Sequence, residues 1–342
     1  MNRLLKNKEC NSLLGGLSAD YRFFAPVRRA GRGRLSDTDL ITYDQISSVE
    51  EIVWDEKTLR SAKEIMFPIT ETLMRFDQKT ISQPSVVDNR GIVIFCRSCD
   101  IHAVSRLDKI FLDNGTSPDP YYERLREKIH FVLMECADPF KSCFCVSMKT
   151  NIPEKFIAAV REVDGGLKVL SQRRTLVDKL STIGSECEFE LHYPKQNGTE
   201  VFPPQTLDMP SELYDHEMWD EYSGRCIACG RCNTSCPTCS CFSVHDVMYD
   251  KDSGQAGERR RVWAGCHIDG FTDMAGGMEF RKSSGARMRF KTFHKIYDYR
   301  KRFGENMCVG CGRCDDICPE YISFSNCINK VSEQPGTQGE SL

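Results

Sequence analysis

A twelve-residue cysteine pattern occurs twice in this chain, and it constrains the fold more than any other feature. Cys226-Ile-Ala-Cys229-Gly-Arg-Cys232-Asn-Thr-Ser-Cys236-Pro237 returns as Cys308-Val-Gly-Cys311-Gly-Arg-Cys314-Asp-Asp-Ile-Cys318-Pro319. Both stretches read C-x2-C-x2-C-x3-C-P, the spacing of bacterial two-cluster ferredoxins. In that pattern the first three thiolates hold one cluster and the fourth reaches the other. The spacing therefore assigns one [4Fe–4S] cluster to Cys226, Cys229, Cys232 and Cys318. It assigns a second to Cys308, Cys311, Cys314 and Cys236. Gly230 and Gly312 leave room for backbone N–H groups to approach a cluster, and the proline ends each loop.

Zinc ribbons also use C-x2-C pairs. They gain nothing from a third cysteine at the same spacing or from the trailing proline, both present in duplicate here. The C-x5-C and C-x3-C pair that holds a cluster beside siroheme is formally nested in the pattern. The interposed Cys229 and Cys311 make that match a coincidence of spacing.

Nineteen cysteines in 342 residues, an odd number, with no apolar signal core after the basic N-terminus, oppose a disulfide framework. Hydrophobic residues make up 40% and charged residues 28%, the balance of a globular protein. A net charge of −3 gives no overall attraction to nucleic acid or anionic lipid. No apolar run approaches the roughly 20 residues that span a bilayer. A cytoplasmic location without membrane or nucleic-acid partners is expected.

The N-terminal half alternates apolar runs with helical patterns. The run over 91–95 precedes helical spacing over 100–112, and the run over 129–134 follows a charged helical stretch. Residues 157–170 read as a hairpin turning at Asp164-Gly165-Gly166. The expected organisation is a mixed α/β domain over 1–192 and a proline-rich linker over 193–213. An α-helical or α+β two-cluster ferredoxin-like domain over 214–330 and a disordered tail over 331–342 would follow.

Five thiols in the N-terminal half form a weaker constellation: Cys96, Cys99, Cys136, Cys143 and Cys145. Adjacent parallel strands would bring their turns to one sheet edge, where ligand sites of α/β folds gather. Helix N-terminal N–H groups there would favour an anionic cluster. Cys99, Cys136, Cys143 and Cys145 are the candidate ligands of a third [4Fe–4S] cluster, with Cys96 in reserve. The competing reading is a set of small buried residues. The same reading fits Cys239, Cys241 and Cys266 better than a ligand role.

The segment from Arg281 to Arg302 carries nine basic residues and one acid, interleaved with aromatics. Docking of an acidic partner, or charge beside anionic clusters, explains it better than nucleic acid. No G-x-G-x-x-G follows a strand, and no nucleophile pairs with a histidine, so neither a dinucleotide site nor a catalytic triad is expected.

Several short motifs are shared with a known family. Lys63-Glu64…Phe67-Pro68, Arg97-Ser98-Cys99-Asp100-Ile101-His102-Ala103, Cys136…Cys143-Phe144-Cys145 and Cys236-Pro237-Thr238-Cys239 are four of them. Together with Gly276-Gly277…Phe280-Arg281, His294-Lys295 and the second ferredoxin motif, they resemble the A subunit of anaerobic sulfite reductases. Iron–sulfur β subunits of sulfhydrogenases are similar. The resemblance implies an electron relay between a flavin subunit that oxidises NAD(P)H and a siroheme subunit that reduces sulfite to hydrogen sulfide. The alternative is the same relay in a nickel–iron hydrogenase complex, and a remote one is a zinc-binding nucleic-acid module.

Overall fold

The computed structural model describes residues 1–35, 37–83, 88–171, 173, 178, 180–249 and 255–338. The chain opens with strand β1 (Asn2–Lys6), helix α1 (Asn7–Leu17) and the pair β2 (Tyr21–Arg29) and β3 (Leu40–Ile46). Next come β4 (Thr70–Phe76) and the short β5 (Ile81–Ser82). An alternating unit then runs β6 (Gly91–Cys96), α2 (Ser98–Phe111), α3 (Pro120–Arg126) and β7 (Ile129–Met134). The hairpin β8 (Ala158–Val163) and β9 (Gly166–Ser171) and the short β10 (Ser185–Glu186) complete the first half. β11 (Phe242–Met248) and β12 (Gly257–Trp263) form a second hairpin.

Eight strands make one sheet in the order β10-β1-β9-β8-β7-β6-β2-β3. Its centre is parallel: β2 beside β6, β6 beside β7, β7 beside β8. A parallel centre must be covered on both faces, which is why β6 reads as an unbroken apolar run. One face packs Val93, Phe95 and Val132 with Leu14 of α1. The other packs Ile92, Ile94 and Leu133 against Ile101, Val104 and Leu107 of α2. Cys96 pairs with Leu133 in register, so β6 and β7 end level and the turns carrying Cys99 and Cys136 leave from one edge.

The two halves of the chain are less separate than the sequence suggests. β4, from the first half, pairs with β12 in a four-stranded sheet ordered β11-β12-β4-β5. Arg261 of β12, 2% exposed, ties this sheet to the first half through Glu71 and Asp119 at 2.7 and 2.6 Å. The stretch over 193–213 is not a free linker. Its prolines keep it extended, but Val201 and Leu213 are buried, and Gly198 N–H donates to Cys143 O at 2.8 Å.

The C-terminus also departs from expectation over 331–338. Val331 ends the core-facing side of the helix Phe324–Ser332, and Thr337 is buried, its carbonyl accepting from Gln205 and Thr206. Backbone pairing orders a stretch that lacks large apolar groups; residues 339–342 lie outside the described residues. No helix among the described residues is long and apolar enough to cross a membrane.

Candidate iron–sulfur centre

Both repeats fold alike. Ala228 and Gly230 in the first, and Gly310 and Gly312 in the second, are left-handed, at φ 54°, 69°, 65° and 69°. Short helices follow each loop, Arg231–Thr234 and Arg313–Ile317. The second loop lies against backbone: a Cβ on Gly310 would stand 2.4 Å from Phe144 O, and one on Gly312 2.2 Å from Ser142 O. Glycine is required at 310 by this contact as well as by its φ, whereas its counterpart Ala228 meets the conformational demand alone.

One cavity is lined by Cys226, Cys229, Cys232 and Cys318, the crossed set expected from the spacing, with Cys314 also on its wall. Cys236 lies within electrostatic reach of Cys308, Cys311 and Cys314. A separate cavity gathers Cys99, Cys136, Cys143 and Cys145, with Cys311 on its wall. Cys96 is not among them. It ends β6 wholly inside the apolar core, because strand alternation turns it away from the edge.

Burial pushes Cys308 up to about 12 and Cys311 up to about 11, so without iron these thiols hold their protons. Cluster binding must therefore release protons, as thiolate metal sites do generally.

Buried cations surround the thiols; charge beside clusters is one of the two expectations for Lys291 and Lys295, whereas Lys57 and Lys63 carry none. Lys291, Lys295 and Lys63 are 3%, 2% and 3% exposed. Lys295 Nζ donates to Thr238 Oγ1 at 2.8 Å, and Lys63 Nζ to Cys239 O at 2.9 Å. Lys291 Nζ makes no hydrogen bond with any described residue. Burial works against its charge, and only as thiolates do the sulfurs of Cys232, Cys314, Cys239 and Cys236 hold it well above the ordinary lysine range. Lys57 is likewise raised by Cys143 and Asp316 against the cost of burial, and donates to Cys311 O at 3.0 Å. His267, depressed to about 3 by burial, keeps a neutral ring whose Nδ1 stands 3.6 Å from Cys226 Sγ.

Of the two readings of 281–302, these positions favour positive charge beside the thiols over a docking surface. Arg287, Lys291 and Lys295 of that segment point inward, because the helix Ser284–Phe293 and the turn after it pack against the ferredoxin loops. The signals for this in the sequence are the run of basic residues over 281–302 and the place of Lys63 and His294-Lys295 in the shared motifs.

The residues fit anionic clusters. A buried ammonium with no carboxylate partner, lying over the Phe324 ring at 4.7 Å beside thiols, favours negative charge that neutral thiols do not supply. Among the described residues, no three His, Cys, Asp or Glu side chains converge as a single metal ion requires. Thiols spread around a cavity instead suit a polynuclear cube.

This arrangement suits a ferredoxin-type pair of [4Fe–4S] clusters. A family model described as a 4Fe-4S dicluster domain matches residues 225–322. The sulfhydrogenase 2 subunit beta of Pyrococcus furiosus is 26% identical over 336 residues, covering 93% of this chain and 98% of that protein. No solved structure matches the chain.

Proposed function

We propose that this chain is the electron-relay subunit of a hydrogenase-type oxidoreductase complex, holding three [4Fe–4S] clusters in line. The likeness to a sulfhydrogenase β subunit over nearly the whole chain favours this over the sulfite-reductase relay that the shared motifs first suggest. Cys226, Cys229, Cys232 and Cys318 hold one cluster. Cys308, Cys311, Cys314 and Cys236 hold the second, and Cys99, Cys136, Cys143 and Cys145 the third. The division into an N-terminal α/β part and a ferredoxin-type part follows these ligand sets.

The observation that carries the linear order is the contact between loops. Phe144 N–H donates to Gly310 O at 2.7 Å and Thr150 Oγ1 to Val309 O at 2.7 Å. The third ligand set therefore abuts the second, with Lys57 between them, its Nζ 3.7 Å from Cys143 Sγ and 3.0 Å from Cys311 O. The loop helices Arg231–Thr234 and Arg313–Ile317 pack together and join the second set to the first. Among the twelve ligands only Cys229 is exposed, which puts the first set nearest a partner. Each cluster, when bound, supplies reversible one-electron transfer. The chain's residues hold it, exclude water and balance its charge through Lys57, Lys291 and Lys295.

All twelve thiolates are committed to closed four-cysteine sets, leaving no open position for substrate. Partner subunits must supply the nicotinamide–flavin chemistry and the terminal reaction. The test is to purify the complex through this chain under argon and assay nickel, flavin and siroheme. Nickel with hydrogen-dependent dye reduction supports the reading; siroheme with sulfite reduction replaces it. The chain alone should accept electrons from a strong reductant and neither oxidise NAD(P)H nor reduce sulfite.

A further inference from the structure

Three thiols lie outside the twelve ligands yet converge on one cavity: Cys239, Cys241 and Cys266. The β11–β12 hairpin makes the convergence. Cys241 stands just before β11 and Cys266 just after β12, and Ala264 N–H donates to Cys241 O at 3.0 Å across the hairpin base. Cys241 and Cys266 are each other's principal electrostatic neighbour. Cys239 enters from the turn after Cys236, with Asn233 Nδ2 3.7 Å from its sulfur.

The same cavity is walled by Lys291, Lys295 and His294. Lys291 brings the ammonium with no hydrogen-bond partner. Lys63, held below the ordinary lysine range chiefly by burial, reaches in from the opposite half of the chain, its Nζ over the Trp263 ring at 3.8 Å. None of these three lysines has a carboxylate ion pair among the described residues. Lysine is almost never buried unless paired, so lysines buried beside three thiols favour negative charge in or next to the cavity. The ferredoxin sets account for Lys291 and Lys295, whose thiol neighbours include Cys232 and Cys236 respectively. Lys63 faces Cys239 first.

We propose that Cys239, Cys241 and Cys266, with His294 as a fourth ligand, hold an additional [4Fe–4S] cluster beside the Cys236 end of the second set. The cluster would branch from the line, since Cys236 and Cys239 are neighbours in one turn. The proposal rests on the chain being a cluster carrier, and is separable from the three-cluster line.

The experiment measures iron, acid-labile sulfide and zinc per chain in the full-length protein prepared under argon. A Cys241→Ser/Cys266→Ser variant should lose about four irons and four sulfides, while the paramagnetic signals of the ferredoxin pair persist. Cys327→Ser, at a buried thiol lining none of these cavities, should lose none. Unchanged iron in the double variant would overturn the proposal, as would about one zinc per chain lost from it. If the double variant loses all iron, His294→Cys decides. A changed iron-57 Mössbauer spectrum at unchanged iron content supports the site, and an unchanged spectrum removes it.

Discussion

The Arg313 guanidinium clasps the Asp100 carboxylate through two hydrogen bonds, Nη1 to Oδ1 at 2.8 Å and Nη2 to Oδ2 at 2.9 Å. Both side chains are 2% exposed. Arg313 lies inside the second ferredoxin motif, and Asp100 follows Cys99 in the first turn of α2. One buried pair thus fixes the second ligand loop to the N-terminal thiol set. Thr58 completes the clasp by accepting from Arg313, and Tyr43 donates to Asp100 at 3.0 Å.

Removing one partner of such a pair leaves a buried charge uncompensated, which costs about 3–5 kcal/mol. Asp100→Ala should lower stability by that amount in anaerobic denaturant unfolding. Arg231→Ala, at the matching place in the first motif but exposed, should change it by less than about 0.5 kcal/mol. Equal losses at both positions would refute the asymmetry.

Crossed ligation makes a second prediction. Cys318→Ala should perturb the cluster of Cys226, Cys229 and Cys232, whose cavity it shares, and spare that of Cys308. Electron paramagnetic resonance of the reduced variant distinguishes the two. Loss confined to the Cys308 set would mean that each motif binds its own cube.

The N-terminal set is tested by iron content. Cys143→Ser with Cys145→Ser should lower iron by about four per chain while leaving the ferredoxin signals intact. Iron content equal to that of the unaltered chain would make these thiols structural.

Lys291 should tune potential rather than assembly. Lys291→Met keeps the volume but removes a buried positive charge, so adding an electron nearby becomes harder. A unit charge roughly 8 Å away at an effective dielectric of about 20 is worth about 2 kcal/mol. The potential of the Cys232 cluster should therefore fall by on the order of 50–100 mV, read by redox titration at unchanged iron content. An unshifted potential would deny Lys291 that part.

Much of the site is legible from spacing because a cluster-binding loop is local. Four thiols, two left-handed residues and a terminating proline all lie within twelve positions, so the repeat specifies both loops and their shared conformation. The apolar runs of β6 and β7 are local too, and their alternation with α2 indicates a parallel pair with aligned ends. Tertiary structure decided what no spacing encodes, namely which side of each residue meets the rest of the chain. The two motifs share Cys-Gly-Arg-Cys, yet Arg231 is exposed while Arg313 is sealed against Asp100. By composition the basic segment after Arg281 fits a docking surface and charge beside clusters equally. Helix packing turns Lys291 and Lys295 inward, among the thiols of the ferredoxin loops. Strand pairing between β4 and β12 likewise joins residues nearly two hundred positions apart, a choice made by complementary surfaces rather than by any local pattern.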